Sequence, residues 1–151
     1  MWWQKLLLYG HVGILLEFWF TGARNLCKRH WKLTTSSYLW VLPVYGVTGI
    51  LMEVIRQSIP WPFWLKAFLY VPLIYGAEAL SGATLAALTG LLQRFLGGVQ
   101  GGTVPWEYEK SSWTPLGLVN FRYAPFWYLV ALAFDPIADF IRAVLDAAAR
   151  L

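Results

Sequence analysis

The sequence predicts an all-α integral membrane protein: four transmembrane helices, an interfacial or re-entrant loop and a C-terminal amphipathic helix, in one membrane domain over 1–151. Three observations predict it. Of the 151 residues, 58% are hydrophobic and only 13% charged, whereas a soluble domain carries roughly 25% charge. Between Lys66 and Arg94 the only charged side chain is Glu78, and a helix of that length, rising about 1.5 Å per residue, exceeds the roughly 30 Å apolar core of a bilayer. Trp2, Trp3, Trp31, Trp61, Trp64, Trp106 and Trp113 fall at expected span ends or in loops, which is the pattern of an aromatic belt.

The first span is expected at 4–21. Trp2, Trp3 and Lys5 precede an apolar run from Leu6 to Ala23. Glu17 inside that run, and Arg24 after it without an A-x-A-like site, argue against a cleaved signal peptide. His11 reads as hydrogen-bonded filler. Arg24, Lys28, Arg29 and Lys32 then form a basic loop suited to lipid headgroups.

The second span is expected at 35–55. Thr34, Thr35, Ser36 and Ser37 suit a helix N-cap. Pro43, Gly46 and Gly49 are tolerated in a membrane helix when neighbours satisfy the freed carbonyls. Tyr45, Gly49 and Glu53 share one face. Glu53 is either a functional acid on a small-residue face or an interfacial partner of Arg56 three residues on.

Pro60-Trp61-Pro62 is a turn, and the third span follows at 66–92. Pro72 and Gly76 are its expected kink points. Glu78, Gly82, Ala86 and Gly90 form one ridge, whose small residues predict contact with another helix. Residues 94–122 are too rich in glycine and proline for a helix and too aromatic for a plain linker, so they read as the interfacial or partly re-entrant loop. The fourth span is expected at 117–135. Asp135-Pro136 then reads as an N-cap followed by proline at the first position of an amphipathic helix over 136–150.

Several chemistries are excluded. No basic face alternates with exposed aromatics, so nucleic acid is not an expected partner. No His/Cys cluster has zinc spacing, and no cofactor or metal is expected. The glycines of Gly97–Gly102 are followed by Thr103-Val104-Pro105, without the lysine of a phosphate loop, so the chain is not itself an ATPase. The single Cys27 allows no internal disulfide. Positive residues lean seven to five toward cytoplasmic first and third loops of a multi-pass protein in the cell membrane.

Four acids remain as candidates: Glu17, Glu53, Glu78 and Asp135. If every span crosses fully they form a ladder through the bilayer, as a proton or cation path requires. Glu78 lies deepest. An ionised carboxylate there costs at least ~2.5 kcal/mol unless paired, hydrated or protonated. Its own helix supplies no cation within reach. Its partner is expected from Tyr9, His11, Tyr45, Thr48 or Tyr128 on other spans.

These residues carry a family resemblance. Gly13-x-x-x-Glu17-x-x-Phe20-Thr21, Leu33-Thr34, Ser37-x-x-Trp40 with Tyr45-Gly46 and Glu53, and Tyr70 with Glu78 and Gly82 come in that order. Pro105-Trp106-x-Tyr108, Gly117-Leu118-Val119-Asn120, Tyr123-Ala124, Trp127 and Asp135 follow. The pattern resembles the small four-span family labelled ABC-transporter type IV, whose animal branch is the transmembrane protein 229 group. It covers about Leu8 to Asp135. Asp135 stands where the family usually has Glu, and the stretch from Ala83 to Pro105 is longer and richer in glycine than the family's. The resemblance implies an integral membrane protein and adds Tyr45, Trp106, Tyr108 and Asn120 to the substrate- or ion-binding candidates.

Three functions are compatible with this. The first is a permease-like component with a homo-oligomeric partner or a separate ATPase. The second is a membrane enzyme acting on a lipid, with Glu78, His11 and the Trp106–Tyr108 loop as its pocket, although no nucleophile motif or catalytic residue is identifiable. The third is a non-catalytic membrane scaffold built on the small-residue faces.

Overall fold

All regular structure among the described residues is helical. The structure is a computed structural model and describes residues 2–29, 32, 34–35, 37–96, 108 and 111–150. Its elements are α1 (Trp2–Cys27), α2 (Val41–Ser58), α3 (Phe63–Leu96), two single 3-10 turns (Pro115–Gly117 and Phe121–Tyr123), α4 (Ala124–Leu132) and α5 (Phe134–Ala148). Two of them, α1 and α3, are long and apolar enough to cross a membrane. The chain divides into two compact units: unit 1 is Met1–Ser58 with Pro136–Leu151, and unit 2 is Ile59–Asp135.

Unit 1 is built on an antiparallel α1–α2 hairpin whose seam is set by glycine. A Cβ on Gly10 would lie 2.6 Å from the Leu42 carbonyl oxygen, and one on Gly46 would strike the carbonyl oxygen of Leu6. The two backbones therefore touch at positions where only glycine fits, the close approach that small residues permit between membrane helices. One turn further on, Gly13 receives the Tyr45 ring and Gly49 receives the Tyr9 ring. The contacts are reciprocal because the sequence is. Tyr9-Gly10-x-x-Gly13-Ile14-Leu15-x-Glu17 recurs as Tyr45-Gly46-x-x-Gly49-Ile50-Leu51-x-Glu53. The sequence of α5 is amphipathic; it buries Ala138 and Ile141, while Phe140 and Val144, which the sequence puts on the apolar side, are exposed.

Unit 2 packs α4 antiparallel on α3. Tyr70 meets Phe134 edge to face at 5.2 Å between ring centres, Phe68 meets Tyr128 at 5.0 Å, and Tyr75 meets Phe121 at 5.0 Å. α3 runs through Pro72 without a break. The segment 111–123 is tied by its own hydrogen bonds. The Thr114 hydroxyl accepts from the Ser111 amide, and the Phe121 amide donates to the Trp113 carbonyl at 2.9 Å.

The structure changes four expectations. The second helix begins at Val41 rather than 35, and Ser37 does not cap it; its hydroxyl is engaged elsewhere. No single helix covers 117–135. Pro115, left-handed Gly117 (φ 71°) and the Asn120 cap break the chain before α4 can start, and α4 has only 9 residues. Asp135 is not a cap, because α5 already begins at Phe134 and Asp135 lies in its first turn. On the Gly82–Ala86–Gly90 ridge, Gly82 is buried, but among the described residues a Cβ on Gly90 would meet nothing within 4 Å, so the expected helix contact is not seen at that end.

Candidate functional site

Each unit holds two of the four acids. In unit 1, Glu53 is buried, 4% exposed, at the C-terminal end of α2. Lys5 Nζ lies 2.7 Å from its Oε1, and Gln57 donates to the same oxygen at 3.1 Å. The Tyr9 hydroxyl donates to Oε2 at 3.3 Å, and Arg142 of α5 stands 3.7 Å from Oε1. Lys5 and Tyr9 are four residues apart, hence on one face of α1, and the antiparallel hairpin brings that face to the end of α2. Of the two readings of Glu53, the pairing with Arg56 is not seen among the described residues: Arg56 lies 2.7 Å from Asp139, while Lys5 and Arg142 face the Glu53 carboxylate.

Glu17 is half-buried in α1 and accepts a hydrogen bond from the Ser37 hydroxyl, which belongs to the segment joining α1 to α2. Tyr45 lines the helix seam, its ring against Gly13. His11 is exposed and its Nδ1 is 2.7 Å from the Leu7 carbonyl of its own helix, the filler role its position predicts.

Unit 2 places Lys66 Nζ 2.8 Å from Asp135 Oδ2, and the Tyr70 hydroxyl 3.5 Å from Oδ1. Lys66 and Tyr70 are again four apart on one face. Glu78 accepts a 2.8 Å hydrogen bond at Oε1 from the Tyr108 hydroxyl, and its Oε2 is enclosed. None of the five candidates from other spans is that donor; Tyr108 comes from the loop between α3 and α4. Gly117 positions it. Its left-handed backbone turns its carbonyl to accept the Tyr108 amide at 2.9 Å, and the Tyr108 ring lies 6.1 Å from that of Tyr123. The Asn120 side chain caps the second 3-10 turn by accepting from the Arg122 amide, and its carbonyl accepts from the Tyr75 hydroxyl. Trp106 lies outside the described residues.

Sequence reasoning missed Lys5, Lys66, Tyr70 and Ser37 as partners of the acids, and offered Tyr9 to Glu78 rather than to Glu53. The available signal was spacing: a lysine four residues before a tyrosine opens both α1 and α3.

Chemically, the acids fall into two kinds. Glu53 and Asp135 each face a lysine as well as a tyrosine hydroxyl, and the lysine favours only the carboxylate. Glu17 and Glu78 each face a hydroxyl, which can donate to a carboxylate or accept from a carboxylic acid. The second kind keeps its bond through a change of charge. No protein-family model matches the sequence, and no solved structure matches the fold.

Proposed function

We propose that the chain is a multi-pass membrane protein that handles a proton or small cation through Glu17 and Glu78, as a transport-related component, while Glu53 and Asp135 hold its helices together. The observation that carries this reading is the division of partners: Lys5 and Lys66 on one pair of acids, Ser37 and Tyr108 on the other. An acid whose partner both gives and takes a proton can bind and release a cation without losing its place in the fold.

The membrane setting is supported by an inverted surface. Glu53 and Lys66 are buried, whereas Trp19, Leu39, Leu80, Leu129 and Phe140 are each more than 60% exposed. Lipid covers such a surface at no cost, and water does not. The resemblance to the ABC-transporter type IV family gives the reading its transport form, with a homo-oligomer or a separate ATPase as the partner.

The test is cation and proton flux into liposomes carrying the purified protein. Wild type should conduct, Glu17→Gln and Glu78→Gln should not, and Lys66→Met/Asp135→Asn should keep conducting. Absence of flux from wild type, or wild-type flux from either glutamine variant, would overturn the proposal.

A further inference from the structure

The two units carry the same or chemically similar residues at the same spacing. Trp3-x-Lys5-x-x-Leu8-Tyr9, with Glu17 eight residues beyond the tyrosine, recurs as Trp64-x-Lys66-x-x-Leu69-Tyr70, with Glu78 eight beyond. On the returning arm of each hairpin, α2 in the first and α4 with the start of α5 in the second, Pro43-x-Tyr45 with Glu53 eight beyond recurs as Pro125-x-Trp127 with Asp135 eight beyond.

Matched residues have matched partners. Lys5 meets Glu53 at 2.7 Å and Lys66 meets Asp135 at 2.8 Å. The Tyr9 hydroxyl reaches Glu53 and the Tyr70 hydroxyl reaches Asp135. At the other end of each hairpin, the glutamate of the first helix accepts from a hydroxyl in the segment joining the two helices: Ser37 between α1 and α2, Tyr108 between α3 and α4. The boundary between the units, after Ser58, falls where the second copy of the pattern begins.

We infer that the chain is a tandem duplication of one ion-clamped helical hairpin, and that Glu17–Ser37 and Glu78–Tyr108 are two copies of a single carboxyl–hydroxyl site. The apolar seam has diverged between the copies. Gly10 and Gly13 correspond to Val71 and Ile74, so the second hairpin is spaced by side chains where the first is spaced by glycine. The clamp and the hydroxyl-held acid stand in both. Lys5, Tyr9, Lys66 and Tyr70 are positioning residues: they fix the end of each hairpin and leave the glutamate at the opposite end to exchange its ligand. The second half of this inference, two equivalent exchanging sites, rests on the function proposed above; the duplication does not.

The experiment treats the full-length protein with dicyclohexylcarbodiimide and maps its peptides by mass. A carboxylic acid adds across the carbodiimide to give an O-acylisourea. In an ion pair the lysine ammonium supplies the proton to the isourea nitrogen and the amine so freed attacks: dicyclohexylurea leaves and an amide remains, so protein mass falls by one water. Where no amine attacks, the adduct rearranges to a stable N-acylurea and the reagent stays on. Dehydrated cross-links are expected at Lys5–Glu53 and Lys66–Asp135, and N-acylurea at Glu17 and Glu78 in comparable yield. Glu17→Gln and Glu78→Gln should each delete one adduct and leave the other. A cross-link in only one unit would overturn the duplication. Both cross-links with an adduct at one glutamate or neither would leave the duplication standing and overturn the paired sites.

Discussion

Lys66 Nζ lies 2.8 Å from Asp135 Oδ2, across 69 residues of sequence, with the lysine side chain 8% exposed and the aspartate side chain 20%. The contact ties the start of α3 to the start of α5. A buried ion pair contributes little over an apolar pair of the same volume, but removing one member leaves an uncompensated charge.

Lys66→Met is therefore expected to destabilise the protein by about 3–5 kcal/mol. Adding Asp135→Asn should recover most of that loss, because the amide needs no counter-charge. Thermal unfolding in detergent, read by retention of the monodisperse peak, measures both. A double variant as unstable as the single one would show that the pair contributes through something other than charge.

Glycine at the α1–α2 seam is a second point of vulnerability. Gly10→Leu and Gly46→Leu drive a side chain into the facing carbonyl oxygen, which should cost at least the ~1–3 kcal/mol of an overpacked core. Gly90→Leu enters open space and should fall within about 0.5 kcal/mol of wild type. The three melting temperatures, taken side by side, decide whether the seam lies where the structure puts it.

Tyr108→Phe keeps the ring against Tyr123 and deletes the hydroxyl that Glu78 accepts. The expected loss is about 1 kcal/mol, the net worth of one hydrogen bond. Ser37→Ala should act in the same way on Glu17. Chemical unfolding of the two variants against wild type measures both losses, and unchanged midpoints would mean that the hydroxyls do not hold these acids.

The proposed four-span topology, with its even number of crossings, places Gln4 and Ala149 on one side of the membrane. With Cys27→Ser as background, cysteines introduced at the two positions should react with an impermeant maleimide from the same side. Labelling from opposite sides would require an odd number of spans.

The helical class, the two long apolar helices and the amphipathic α5 were legible because hydropathy over such lengths depends on composition. The fourth helix was not. Apolar residues run through 117–135, but backbone geometry at Pro115, Gly117 and Asn120 decides where a helix can begin. The four acids were legible as rare charges in an apolar chain. Their partners were not, because Lys5 and Lys66 look like ordinary span-end cations until an antiparallel neighbour brings an acid to them. Tyr108 was legible as a candidate, but its target was not: the loop had no place over α3 until Gly117 turned it there.

The proposed function rests most on the division of the four acids into two that clamp and two that exchange. Its most direct test is the stability of the four single neutralisations, Glu17→Gln, Glu53→Gln, Glu78→Gln and Asp135→Asn, measured together in one detergent. Glu53→Gln and Asp135→Asn each leave a lysine facing an amide. Asp135→Asn should cost about 3–5 kcal/mol and Glu53→Gln somewhat less, since the Lys5 side chain is 33% exposed. Glu17→Gln and Glu78→Gln keep an oxygen that accepts from Ser37 and Tyr108, and should stay within about 1 kcal/mol of wild type. A collapse of Glu17→Gln or Glu78→Gln to the level of Asp135→Asn would contradict the division and make all four acids structural.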